Sequence, residues 1–435
     1  MSSFASSWMA APITKWIAEY STNGKRKSQE RLYSLGILTS LAILVPIGLI
    51  FTVFHRPIID GFLQGEVEPH HYFVFLIFSV LTALRTVQSA VIQGLLLVGR
   101  VVMIKTVSAG IQVILVLALV SQFGLIGLFY GLAISLFIAA LMAFSVIHRT
   151  AKFGFSRPVL RAEETTNLAQ FGGANVVLLV AALSTEYLQR FIILNQLGIE
   201  AVGLTVAAMQ IIVYIDVFNR SAIFYWFAKM SKSSNASDLL DDYSSFSQLT
   251  LIAGIPMVLG GVLFGGTAID ILLGENFSEL TSSLYLFMIW QFFNLIHNPP
   301  AMAIMALARV KVHAIATLAS ATSVPLVMYL GMSQWSWGFE SIGIALIVGG
   351  VLAYIPRVLY MGIRHQVWGT KYTWMFTFVG IVMVTIAIQL RDFSLEERVL
   401  VYLLLLATMY LITPKNERRV ILATIGRPLA VLRRK

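Results

Sequence analysis

Apolar residues in this 435-residue chain run in long unbroken blocks rather than alternating with polar ones. Blocks of roughly 17–25 apolar residues have the length a helix needs to cross a bilayer. They predict twelve spanning helices, at 33–54, 71–95, 106–122, 124–147, 167–194, 200–228, 246–266, 282–304, 312–332, 340–363, 373–390 and 398–413. A shorter, weakly apolar stretch at 4–20, carrying Lys15 and Glu19, precedes them. Most connections are a few residues long, so no domain outside the membrane is expected. The expected fold class is an all-α integral membrane protein.

The polar positions between the blocks set an orientation. The connections at 21–32, 100–105, 148–166, 229–245, 305–311 and 364–372, with the tail after 413, hold 23 Lys and Arg, whereas the alternate loops hold only Arg56, Arg391 and Arg398. Acidic residues divide 7 and 11 the other way. Basic residues stay on the cytoplasmic side of short loops, so the C-terminus is expected in the cytoplasm. The net charge of +10 then belongs to a membrane face, where it also favours anionic lipid, and a nucleic-acid partner is not expected.

A weak internal repeat runs through the pattern. Residues 16–60 align with 226–270 without a gap, bringing Trp16 to Trp226, Ala18 to Ala228 and Ile59-Asp60 to Ile269-Asp270. Gly99-Arg100-Val101 faces Ala308-Arg309-Val310, and Ser121-Gln122 faces Ser333-Gln334, each of the latter ahead of a Gly-rich helix start. Two parallel copies of one unit are expected. The offset places the first copy's opening helix before Met1, so the chain is expected to lack its first helix and part of its second. The alternative is that 4–20 lies flat on the cytoplasmic face. The expected organisation is an N-terminal lobe at 1–150, a cytoplasmic linker at 151–166, a six-helix lobe at 167–365, two extra spanning helices at 366–413 and a basic tail at 414–435.

Composition narrows the chemistry. The chain is 58% hydrophobic and 12% charged, about half the charge of a soluble protein, with a mean hydropathy of +0.81. It has no cysteine, which excludes disulfides, thiolate metal sites and cysteine nucleophiles. No P-loop, His-Glu-x-x-His or Gly-x-Ser-x-Gly pattern is present, His70-His71 begins an outer helix, and neither an enzyme nor a resident cofactor is expected. Tyr72, Trp335, Trp337, Tyr372 and Trp374 lie near span ends, as interfacial aromatics do.

Ionisable groups inside spans are the candidate site, since each costs roughly 2.5–3.5 kcal/mol at a helix centre. Arg85 lies in mid-helix with no acidic residue within a turn; Glu186 and Arg190, and Asp216 and Arg220, are each four apart and share a helix face. Arg85, Arg190 and Arg220 are candidate binders of an anionic, phosphate-bearing substrate, because guanidinium stays charged and presents forked donors. Glu186 and Asp216 are candidates for coupling to a proton or sodium gradient. Both pairs read equally as internal salt bridges, and Arg85 as an inter-helix hydrogen bonder. Lys15 and Arg357, near cytoplasmic ends, are expected to snorkel to the surface. Asn298-Pro299-Pro300 is expected to interrupt its helix, with bends at Pro46, Pro256, Pro325 and Pro356.

Four segments resemble the multidrug/oligosaccharidyl-lipid/polysaccharide exporter superfamily, in its polysaccharide (O-antigen-type) flippase branch. They are Ile13-Thr14-Lys15-Trp16-Ile17-Ala18-Glu19-Tyr20; Phe123-Gly124-Leu125-Ile126-Gly127; Glu186-Tyr187-Leu188-Gln189-Arg190-Phe191-Ile192-Ile193-Leu194 with Leu197-Gly198 and Gly203; and Ile269-Asp270-Ile271-Leu272-Leu273-Gly274. The resemblance implies two six-helix lobes, two extra C-terminal helices, and flipping of an undecaprenyl-diphosphate-linked oligosaccharide across the bacterial inner membrane. It implies membrane lipids, the lipid-linked glycan and other polysaccharide-assembly proteins as partners. Where the family carries Asp before the second-lobe arginine, this chain has Gln189. The rival expectations are a cation-coupled multidrug exporter of the same fold, a membrane glycan polymerase or ligase, and an inactive truncated product. The longest outer loop, 55–70, is short for a catalytic segment.

Overall fold

The computed structural model describes residues 2–54, 69–153, 162–233, 236–274, 277–365 and 371–413. Within these ranges the side chains of His70, His71, Tyr72, Arg220 and Tyr372 lie outside the description, as do most of the predicted outer loop 55–70 and the tail from 414. The described residues form thirteen α-helices and no strand. They are α1 (Ser2–Thr22), α2 (Arg26–Val53), α3 (Pro69–Gly94), α4 (Val98–Phe123), α5 (Leu125–Ala151), α6 (Ala162–Leu197), α7 (Ile199–Met230), α8 (Ala236–Leu272), α9 (Ser278–Ala306), α10 (Val310–Ser333), α11 (Glu340–His365), α12 (Lys371–Gln389) and α13 (Leu395–Ile412).

Eight of them are long and apolar enough to cross a membrane by length and composition, and Ile199–Val213 and Trp374–Gln389 are shorter apolar stretches. The twelve predicted spans correspond to α2–α13. The helices that fall short are diluted by polar residues: Gln291, Asn294, His297 and Asn298 in α9, and Glu396, Glu397 and Arg398 in α13. On α4, Val102, Met103, Val107, Val113, Ile114, Leu117 and Val120 are all exposed. Such a large apolar face suits hydrocarbon and not water. Trp335 and Trp337, at the end of α10, are also exposed, with ring centroids 4.6 Å apart.

The chain divides into two compact units, one of Met1–Leu183, Phe224–Leu239 and Met302–Ile315, the other of Ser184–Ile223, Leu240–Ala301 and Ala316–Lys435. In the first, α1 packs on α2 and α3, and α5 packs on α3 and α4. Met9, Ile13, Ile17 and Ala18 are buried, so α1 is an inserted member of the bundle rather than a helix lying flat on a surface. Thr14 donates to the Ala90 carbonyl at 3.2 Å and Gln29 to the Ile17 carbonyl at 2.9 Å. Lys15 does not snorkel: it is 7% exposed and its Nζ is 3.2 Å from Glu19 Oε2.

The turn between α4 and α5 depends on glycine. Gly124 has φ 59° and ψ −142°, which only glycine adopts without strain. A Cβ on Gly127 would sit 2.1 Å from the Leu119 carbonyl oxygen, so the two helices meet backbone to backbone. Gly127→Ala is expected to cost about 1–3 kcal/mol through overpacking, read as a lower melting temperature of the purified protein. The repeat is visible in another turn: Leu96 and Ala308, 212 residues apart, have φ of 60° and 56°. The same three hydrogen bonds close both turns, among them Leu97 N–H to the Ile92 carbonyl and Arg309 N–H to the Ile304 carbonyl.

The second unit is built around Leu251, Ile255, Val258 and Leu259 of α8 and Leu284, Phe287, Met288 and Phe292 of α9. Met328, Ala345, Phe376, Met383 and Leu405 close the cluster from α10–α13. Arg398 donates to the Leu263 carbonyl at 2.7 Å and Tyr402 to the Pro256 carbonyl at 3.3 Å, tying α13 to α8. The expected interruption at Asn298-Pro299-Pro300 is absent, since α9 runs unbroken through both prolines. Its flanking side chains are packed, and proline inside a spanning helix is tolerated where neighbours re-satisfy the freed carbonyl.

A capping box starts α13: Glu397 N–H donates to Ser394 Oγ at 3.4 Å and Ser394 N–H to Glu397 Oε2 at 2.9 Å. The Ser394 hydroxyl, and then its N–H, hold the exposed Glu397 carboxyl below its ordinary range. Stabilisation by this carboxylate is therefore present above the ordinary glutamate pKa and fades as pH falls through the lowered value. Ser394→Ala is expected to cost about 1 kcal/mol. The melting-temperature gap between wild type and Glu397→Gln should close on acidification.

Candidate functional site

Arg85 stands on α3, nine residues before its end at Gly94 and so about 13 Å along the axis from it. It is half-buried, and its Nη2 reaches Ser108 Oγ of α4 at 3.5 Å, the outer limit of a hydrogen bond. Ser108 itself donates to the Lys105 carbonyl at 3.1 Å. No described carboxylate forms an ion pair with Arg85. Lys105, one turn before Ser108, carries its Nζ 5.0 Å from the Phe224 ring centroid. The sequence pattern placed Lys105 in a connection, but α4 begins at Val98 and carries it inside the helix. The first unit thus holds a guanidinium and an ammonium on facing helices around one buried serine. The helical offset of three between Lys105 and Ser108 was the signal that pointed to it.

In the second unit the predicted Glu186–Arg190 pair forms, Arg190 Nη2 donating to Glu186 Oε1 within one face of α6. Both side chains remain more than half exposed. Arg190 lines a cavity of about 470 Å³ with Tyr187, Leu188, Phe191, Leu194, Ile199 and Val202. Tyr187 and Phe191 are 70% and 65% exposed. Thr185, one turn away, donates to the Ala321 carbonyl of α10 at 3.0 Å and fixes that stretch of α6 in the unit. Chemically this is an apolar, aromatic groove with one charged pair at its wall.

Asp216 belongs to a different cluster. Its Oδ1 accepts from Asn219 Nδ2 at 3.0 Å and from Gln291 Nε2 of α9 at 3.2 Å, and Asn294 Nδ2 donates to Gln291 Oε1 at 3.2 Å. Gln291 and Asn219 are buried, and Asn219 Oδ1 has no donor among the described residues. A carboxylate oxygen and amide oxygens gathered at membrane depth can accept a proton or surround a small hard cation. The partners of Asp216 on α9 were invisible to i,i+4 reasoning because they come from another helix. Arg220, its predicted partner, has no described side chain. No group of three His, Cys, Asp or Glu suited to a metal ion exists among the described residues.

Arg357 overturns an expectation. It does not snorkel: it is 2% exposed and donates from Nη2 to Thr317 Oγ1 of α10 at 2.6 Å. Pro356 and the packing of α10 and α11 hold it inward, and its place near a cytoplasmic helix end gave no hint of that.

No family model matches the chain. A Shigella flexneri protein named "Putative O-antigen transporter" is 23% identical over 186 residues, which are 41% of this chain and 44% of that protein. The match thus spans less than half of the curated relative. Solved structures are alike over far more of the chain. A multidrug resistance MATE family transporter of the MOP superfamily, in an outward-facing conformation, superposes with a TM-score of 0.68 at 12% identity over 85% of this chain and 86% of that one. A Vibrio cholerae MATE transporter gives 0.70 at 14% identity over 82% and 85%. A MOP superfamily transporter from Pyrococcus furiosus, described as having a binding pocket of reverse polarity, gives 0.69 at 13% identity over 84% and 85%. With thirteen described helices, lipid-suited faces and these superpositions, the chain is a multi-pass membrane protein with the fold of the MATE transporters of the MOP superfamily.

Proposed function

We propose that this protein moves an undecaprenyl-diphosphate-linked oligosaccharide across the bacterial inner membrane for polysaccharide synthesis. The observation that carries the reading is Arg85: a half-buried guanidinium at membrane depth, without a carboxylate partner among the described residues and with only a 3.5 Å contact to Ser108. A fixed cation so placed has donors to spare for an oxyanion, and a diphosphate needs such donors to leave water. Lys105 adds a second positive charge nearby on α4, and Arg190 and Arg220 add more along α6 and α7. The partial likeness to the Shigella flexneri protein supports the same cargo. The basic loops favour an inward-facing C-terminus, and the diphosphate would then enter from the cytoplasmic leaflet. Asp216 and its amides would hold the coupling proton or sodium, and Glu186 would release Arg190 when phosphate arrives.

A cation-coupled multidrug exporter is the second reading. The exposed Tyr187 and Phe191 beside Glu186 are a plausible face for an aromatic cation. One experiment separates the two. In a bacterial host deprived of its own O-antigen flippase, the proposal predicts that this chain restores surface glycan and leaves drug susceptibility unchanged. Raised drug tolerance with no surface glycan would replace it with the exporter reading.

A further inference from the structure

The most deeply withdrawn arginine of the second unit takes no part in the transport route proposed above. Arg357 lies on α11 eight residues before His365, 2% exposed. A guanidinium is always protonated and carries five N–H donors. Here Nη2 is used by Thr317, while Nε and Nη1 have no acceptor among the described residues. The groups around it bring no negative charge. His297 of α9 lies near enough for the two charges to interact, with its Nδ1 3.1 Å from the Phe293 carbonyl oxygen. Tyr354, one turn earlier on α11, interacts with Tyr243 of α8, and both are phenols. Buried charges in proteins are paired, and one left alone costs more than a marginally stable unit can carry.

We propose that Arg357, with Thr317 beside it, forms a site for a small monovalent anion of the halide class inside the second unit, between α10 and α11. One negative charge balances one fixed guanidinium. A monatomic ion can accept from donors that point in different directions, as Nε–H and Nη1–H do. The packing that leaves the side chain 2% exposed excludes a phosphate ester or the carboxylate of a larger molecule. The site differs from the proposed route in its helices and in its ligand, and it stands whether the cargo is a glycolipid or a drug. Its consequence is linkage: an ion bound only by the folded unit raises that unit's stability with concentration.

The test is the melting temperature of the purified full-length protein in detergent, with sodium chloride replacing sodium gluconate at constant ionic strength. Wild type should show a saturable rise of roughly 2–4 °C or more, and bromide should substitute for chloride. Arg357→Met, similar in volume and uncharged, should lose that dependence and melt above wild type in gluconate, because no isolated charge remains to be buried. Equal wild-type melting temperatures in gluconate and chloride would overturn the proposal, and so would an Arg357→Met protein that keeps the saturable chloride response. Should the variant fail to fold, the wild-type titration decides the question by itself.

Discussion

Arg85→Ala is expected to reduce transport by roughly 10- to 100-fold while leaving a folded, membrane-inserted protein. The range follows from the value of a hydrogen bond to a charged group, about 1.5–3 kcal/mol, converted at about 1.4 kcal/mol per factor of ten. Its fold contribution is small, because its contact to Ser108 is 3.5 Å long and Ser108 keeps its bond to the Lys105 carbonyl. Arg85→Lys should recover only part of the activity, since an ammonium keeps the charge but lacks the planar fork. The readout is surface glycan together with lipid-linked repeat units, which should accumulate in the inner leaflet. Arg190→Ala is expected to act in the same direction. Normal surface glycan in both alanine variants would remove the cationic site from the mechanism.

Asp216 is the second position of large expected effect, and two substitutions divide its roles. Asp216→Asn retains a carbonyl oxygen for the amides of Asn219 and Gln291, so the cluster between α7 and α9 survives while the charge is lost. If that carboxylate carries the coupling ion, transport driven by an imposed proton or sodium gradient should fall about tenfold or more, the equivalent of about 1.4 kcal/mol. The melting temperature should be nearly unchanged. Asp216→Leu instead strands the Gln291 Nε2 donor in a residue that is 0% exposed, and should cost about 1–3 kcal/mol of stability as well. Full gradient-driven transport by Asp216→Asn would limit the carboxylate to a structural role.

Much of the fold was legible because the bilayer imposes length and composition on whole segments. The blocks at 106–122 and 124–147 are α4 and α5 to within a turn or two, and the break between them is the residue whose φ requires glycine. Pairs closed within one helix were legible too: Glu186–Arg190 and Lys15–Glu19 are both i,i+4 contacts. What depended on a second helix was not. Nothing near Asp216 in sequence points to Gln291, 75 residues away, and nothing near Arg357 points to Thr317. The prolines at 299 and 300 misled for a related reason. Local rules count the lost N–H, whereas α9 persists because its neighbours in the unit pack against it through Phe292, Leu295 and Ile296.

The measurement that bears most directly on the central claim is flipping by the purified protein in liposomes. Undecaprenyl-diphosphate-linked oligosaccharide would be placed in one leaflet and its arrival in the other followed by an impermeant glycan-cleaving enzyme. Protein-dependent transfer of the glycolipid that is lost in Arg85→Ala, with no gradient-driven movement of a cationic aromatic drug in the same vesicles, is the predicted result. Drug movement without glycolipid transfer, or glycolipid transfer that Arg85→Ala leaves at the wild-type rate, would contradict it.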